Sequence, residues 1–174
     1  MPSRVDAPWR LINEAVQIGS LAYIDVDLTS DKLPPGFTYY TPYHFAVGYA
    51  AAFAAYEPGR KLVFIAFAGT DDPADLWTDI ESVGSSAYIE KYAAQFSDWV
   101  ADVLTYFPGY GVVFTGHSLG GMVAETFTHW YQGARGGNVY GVSFGGTGVN
   151  GGWENAPAEH FFHITHSQDF IGKH

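Results

Sequence analysis

The chain has 174 residues, enough for one domain around one hydrophobic core, and a chain of this length buries roughly 70% of its unfolded surface without help from a disulfide or a metal. Eight Lys and Arg against 18 Asp and Glu leave a net charge of −10, which argues against a nucleic-acid partner, because phosphate affinity rests on clustered cations. The absence of cysteine excludes Cys nucleophiles, Cys-ligated zinc and iron–sulfur clusters.

No run approaches the length of a membrane-spanning helix. The N-terminus, MPSRVDAPWRLINEA, sets Asp6, Arg10 and Asn13 where a signal peptide has its apolar region, so no signal peptide is expected. Localisation stays open between the cytoplasm and the outside of the cell, reached by a route that needs no signal peptide. Any lipid surface would be met transiently through apolar residues, since no polybasic patch is present.

Residues 8–24 carry Leu11, Ile12, Ala15, Ile18, Leu21 and Ala22 at helical spacing and predict a helix. Residues 28–42 read as a loop broken by Pro34-Pro35-Gly36. The apolar runs Phe45 to Tyr56 and Lys61 to Ala68 flank Glu57-Pro58-Gly59-Arg60 and predict a β-hairpin. The second run is apolar almost throughout, as a strand covered on both faces should be. A short helix and loop are expected over 72–84, then an amphipathic helix over 87–106 stopped by Pro108-Gly109. A strand follows at 111–115, a helix from Leu119 to Gln132 stopped by Gly133, and strands at 138–144 and 161–165. Helices alternating with short apolar strands predict an α/β fold with a mainly parallel central sheet flanked by helices.

Gly116-His117-Ser118-Leu119-Gly120 matches G-x-S-x-G. The bare pattern is weak, and Gly141-Val142-Ser143-Phe144-Gly145 matches it too. Context separates the two. A nucleophile elbow needs a strand, a sharp turn and then a helix, with glycines where backbones pass closely and a strained Ser projecting its Oγ. Ser118 has both flanks. Ser143 lies inside a strand pattern followed by Gly145-Gly146-Thr147-Gly148, which does not open a helix, and reads as a sheet serine. His117 leaves the turn in a different direction from Ser118 and reads as a packing residue.

At these residues the chain resembles a class 3 (fungal-type) lipase of the α/β-hydrolase superfamily. Lys61-Leu-Val-Phe-Ile-Ala-Phe-Ala-Gly-Thr70, with Leu76-Trp77-Thr78-Asp79-Ile80 after it, is similar to that family's strand, F-R-G-T turn and D-W-x-x-D-L lid segment. Val112 to Met122 resembles its elbow closely. Tyr140 to Gly145 and His163 to Asp169 are similar to its next two strands and acid-bearing loop. The sequence departs from the pattern at Ala68, where the family usually has Arg, and at Gly146-Thr147, which replaces a usual Ser-Pro or Ala-Pro.

Acyl transfer builds negative charge on the ester carbonyl oxygen, and two preorganised N–H donors supply much of the catalysis. One donor is expected at Leu119, the residue after the nucleophile. The resemblance implies the other at Thr70. It also implies a lid around Leu76, Trp77 and Ile80, for which an amphipathic surface helix with a buried Trp is an equal alternative. The acid should follow the next-but-one strand after the nucleophile, and Asp169 fits, as the one Asp or Glu after Glu159. The base should follow the acid. His174 does, yet an acid and base five residues apart need a tight local turn to face each other and Ser118 together. His163 and His166 precede the acid and read as strand flanks.

The expectation is a single α/β-hydrolase domain over 1–174 that lacks its C-terminal part, with the base on a further segment or, failing that, at His174. The function expected is a serine carboxylester hydrolase of lipase type, acting on lipid or other carboxylic esters with no cofactor and no catalytic metal. A non-catalytic lipid- or acyl-binding fragment, or a pseudo-enzyme lacking the His, is the alternative. A phosphate site at the helix after Gly116 is weaker, because His117 is the one basic group at the turn. Head group, acyl length and oligomeric state leave no trace in these residues.

Overall fold

The computed structural model of the protein describes residues 6–22, 32–44, 51–68, 85–135, 138–145 and 160–164. In chain order they form α1 (Asp6–Leu21), β1 (Thr38–His44), β2 (Ala51–Glu57), β3 (Leu62–Phe67), α2 (Ser85–Ala94), α3 (Ser97–Thr105), β4 (Gly111–His117), α4 (Leu119–Arg135), β5 (Val139–Phe144) and β6 (Phe161–Ile164). The strands make one sheet in the order β1-β2-β3-β4-β5-β6. The first three pair antiparallel, and β3 to β6 pair in parallel.

Side chains alternate across a strand, and here each face has its own cover. Val63, Ile65 and Phe67 of β3 join Val112 and Phe114 of β4 under α3 and α4. Phe64 and Ala66, with Val113 and Val142, lie instead under Leu11, Ile12, Ala15 and Ile18 of α1. A strand buried on both faces reads as a continuous apolar run, which is why residues 62–67 carry no polar side chain. Phe67 centres the aromatic part of the core, with its ring 5.1 Å from both Phe96 and Phe127.

Several elements differ from the sequence expectations. The stretch expected to be loop holds β1, whose Pro42 pairs with Phe53. Proline removes a ladder donor and is tolerated at a sheet edge, and β1 ends the strand order. The helix expected over 87–106 is two helices. Gln95 and Phe96 donate their N–H groups three residues back, to Tyr92 and Ala93. This tight turn redirects the chain while Phe96, with no exposed surface, stays against Phe67. Helix α4 runs through Gly133 to Arg135. A glycine in a helix costs only about 1 kcal/mol, less than the buried face of α4 supplies. The hairpin is as expected, closed by Lys61 at φ 53°.

Polar contacts fix α1 on the sheet. Thr115 of β4 donates its hydroxyl to the carbonyl of Ala15 at 2.9 Å. Glu14, buried on α1, accepts both ends of the Arg60 guanidinium, at 2.9 and 2.5 Å. Arg60 Nε also bonds Glu57 at 2.9 Å. The cluster joins α1 to the turn between β2 and β3.

Candidate active site

Strand β4 carries the chain through the middle of the sheet to Ser118. There the backbone turns to φ 54°, a left-handed value that a non-glycine residue adopts at a cost of about 1–2 kcal/mol. The Ser118 N–H donates to the carbonyl of Phe144 at the end of β5, at 3.0 Å, and the Ser118 carbonyl accepts from Met122 at 3.1 Å. The turn is thus held by β5 on one side and opens α4 on the other. Ser118 is half-buried.

The flanking glycines are required by close approach. A Cβ on Gly116 would lie 2.3 Å from the Gly120 carbonyl carbon, and one on Gly120 would lie 2.0 Å from the carbonyl oxygen of Phe67. The first turn of α4 therefore presses on the end of β3, from which the chain continues to Thr70. Leu119, as the first residue of α4, has an N–H with no acceptor inside the helix, at the end where the helix dipole favours negative charge. Its side chain is buried with Met122 and Ile89, so α2 covers the start of α4. Strand, left-handed serine, glycines and helix make a strand–turn–helix elbow.

His117 packs against β5. Its ring centroid is 5.4 Å from that of Phe144, and a Cβ on Gly145 would come within 2.2 Å of its Nε2. Ser143 lies within β5 and is 4% exposed. Its Oγ is 2.6 Å from Nδ1 of His163 on β6. The sequence did not reveal this pair, because the register between two parallel strands separated by a long connection leaves no local signal. Thr70, Leu76, Trp77, Ile80, His166, Asp169 and His174 lie outside the described residues. No group of three or more His, Cys, Asp or Glu suited to a metal occurs among the described residues. Nor is any helix among them long and apolar enough to cross a membrane.

A mixed sheet, parallel from β3 to β6, with helices on both faces, and an elbow where its central strand enters a helix, define an α/β-hydrolase architecture. The chain belongs to the class 3 lipase family, whose model matches residues 71–174. Solved structures agree on the fold. Lipase II from Rhizopus niveus is 21% identical, with a TM-score of 0.63 over 80% of this chain and 63% of its own. The lipase from Rhizopus microsporus var. chinensis is 19% identical, with a TM-score of 0.61 over 81% of this chain and 58% of its own. A triacylglycerol lipase whose catalytic centre is formed by a serine protease triad is 16% identical, with a TM-score of 0.59 over 78% of this chain and 61% of its own. The chain thus spans about three-fifths of the length of these lipases. No curated protein matches it.

Proposed function

We propose that this chain carries the nucleophile half of a serine carboxylester hydrolase that acts on lipid esters through an acyl-enzyme. The observation that carries the reading is Ser118 at φ 54° between β4 and α4, in a chain of the class 3 lipase family.

The chemistry follows from the roles. Ser118 Oγ attacks the ester carbonyl carbon while a histidine takes its proton, since a free hydroxyl is a poor nucleophile. Negative charge collects on the carbonyl oxygen and is met by the N–H groups of Leu119 and Thr70. The carbon–oxygen bond to the alcohol breaks, and the alcohol leaves with the proton from the imidazolium. Water, deprotonated by the same histidine, then releases the carboxylic acid and restores Ser118. Asp169 orients the imidazole. The base is a histidine that follows Asp169, either His174 or one supplied from outside these 174 residues. Leu76, Trp77 and Ile80 form a lid that makes transient contact with the lipid interface.

Hydrolysis of p-nitrophenyl esters, together with labelling by a fluorophosphonate, tests the reading. Ser118→Ala should abolish labelling and lower kcat by about 10⁴ or more, and mass spectrometry should find the adduct on Ser118. Unchanged turnover in Ser118→Ala, or an adduct on another serine, would overturn it. His174→Ala then tests His174 as the base: loss of turnover assigns the role to His174, and unchanged turnover excludes it.

A further inference from the structure

The hydrogen bond between Ser143 and His163 is outside the reaction just described. A serine hydroxyl at 2.6 Å from an imidazole nitrogen is the geometry of a nucleophile with its base. That role does not suit Ser143. It is 4% exposed and lies under the first turn of α4, where a Cβ on Gly121 would come within 2.8 Å of the Ser143 Cβ. An ester carbonyl has no approach to it.

The place of the pair in the sheet gives it another meaning. Phe67, Gly116, Ser143 and His163 are successive register partners across β3, β4, β5 and β6. In sequence, three of these four strands, β3, β4 and β6, are followed shortly past this row by a residue of the proposed site. Thr70 is three residues beyond Phe67, Ser118 two beyond Gly116, and Asp169 six beyond His163. The first two exits are held by the pressure of Gly120 on Phe67 and by the bond from Ser118 to Phe144. Along β6 the backbone bonds to β5 differ in length. Between β5 and β6 the N–H of Gly141 reaches the His160 carbonyl at 2.9 Å, but at the far end the N–H of Gly145 reaches the Ile164 carbonyl at 3.4 Å. That longer bond is at Ile164, the last described residue of β6, and the side-chain bond lies one residue before it.

We propose that Ser143 and His163 form a clamp between β5 and β6 that sets where the chain leaves the sheet toward Asp169, so that His163 is a positioning residue for the acid. This inference rests on the assignment of Ser118 and Asp169 under the proposed function. Ser143 is fixed against α4, the helix that Ser118 opens, so the clamp refers the acid-bearing loop to the same helix as the nucleophile. His163 is exposed, and losing its ring leaves the buried Ser143 hydroxyl without this partner.

The test compares Ser143→Ala, His163→Ala, the double variant and His163→Asn, whose amide reaches roughly the position of Nδ1. Hydrogen exchange at the Gly145 amide reads the clamp, and kcat and KM for a p-nitrophenyl ester read its consequence. Each alanine variant should speed exchange at Gly145 and lower kcat about fivefold with KM within about twofold, and the double variant should fall no further. His163→Asn should restore both readouts, which also excludes a general loss of folding. Faster exchange with wild-type kcat, additive losses in the double variant, or no rescue by Asn would overturn the proposal. Turnover that survives Ser118→Ala would instead defeat the underlying function, whatever the clamp variants do.

Discussion

Ser118 holds its left-handed conformation against its own side chain, and a glycine there would not. Ser118→Gly should therefore lose all esterase activity while unfolding at higher urea, with a gain of about 0.5–1 kcal/mol. A loss of stability would mean that the Ser118 side chain contributes contacts that outweigh the strain. The glycines divide in the same way. Gly120→Ala forces a methyl into the carbonyl of Phe67 and should cost about 3 kcal/mol or more. Gly133, also in α4, has nothing within 4 Å of where a Cβ would stand. Gly133→Ala should raise stability by up to about 1 kcal/mol, seen as a higher urea midpoint at unchanged m-value. The two glycines look alike in sequence. What separates them is a contact between Gly120 and a strand more than fifty residues earlier.

At the scale of elements, α1 depends on the Arg60 cluster. Glu14 is 7% exposed, and Arg60→Leu leaves its carboxylate without the guanidinium in a buried place. The cost should be about 3 kcal/mol in urea unfolding at pH 7. Burial alone would raise the Glu57 carboxyl, but the N–H and guanidinium of Arg60 outweigh it and hold Glu57 below the usual carboxylate range. A lowered folded-state value gives stability that is present above the unfolded value, near ~4.3, and is lost as pH falls through the folded one. The stability gap between wild type and Arg60→Leu should therefore narrow as pH is taken from 6 to below 4. A gap that widens in acid would refute this account. Local patterning predicted α1 well, because its apolar stripe recurs at helical spacing. It missed the split between α2 and α3, since both halves keep apolar residues in phase and the break falls at Gln95-Phe96, where Phe96 packs against Phe67. It also missed β1, because Pro34-Pro35-Gly36 made the whole stretch read as loop, while the strand begins just past them at Thr38.

For the whole molecule, the proposed site opens where β3, β4 and β6 all release chain at one end of the sheet. If Trp77 lies on a lid over that end, hydrolysis of an emulsified ester should exceed hydrolysis of the same ester dissolved as monomers, and Trp77→Ala should shrink the ratio. Equal rates in both states, with Trp77 fluorescence unmoved by micelles, would leave an open esterase site and no lid.

The sequence by itself determined the strands that are buried on both faces, because burial of both faces demands an unbroken apolar run. It determined the elbow, because strand, glycine, serine and helix are consecutive residues. Both are local requirements, written where they act. The tertiary structure alone decided what joins distant positions: Ser143 with His163 across 20 residues, Arg60 with Glu14 across 46, and Thr115 with Ala15 across 100. A serine, a glutamate or a threonine carries no mark of the partner it will meet. That partner is chosen by strand register and helix packing, and both are fixed by the sum of many apolar contacts rather than by any residue near the pair.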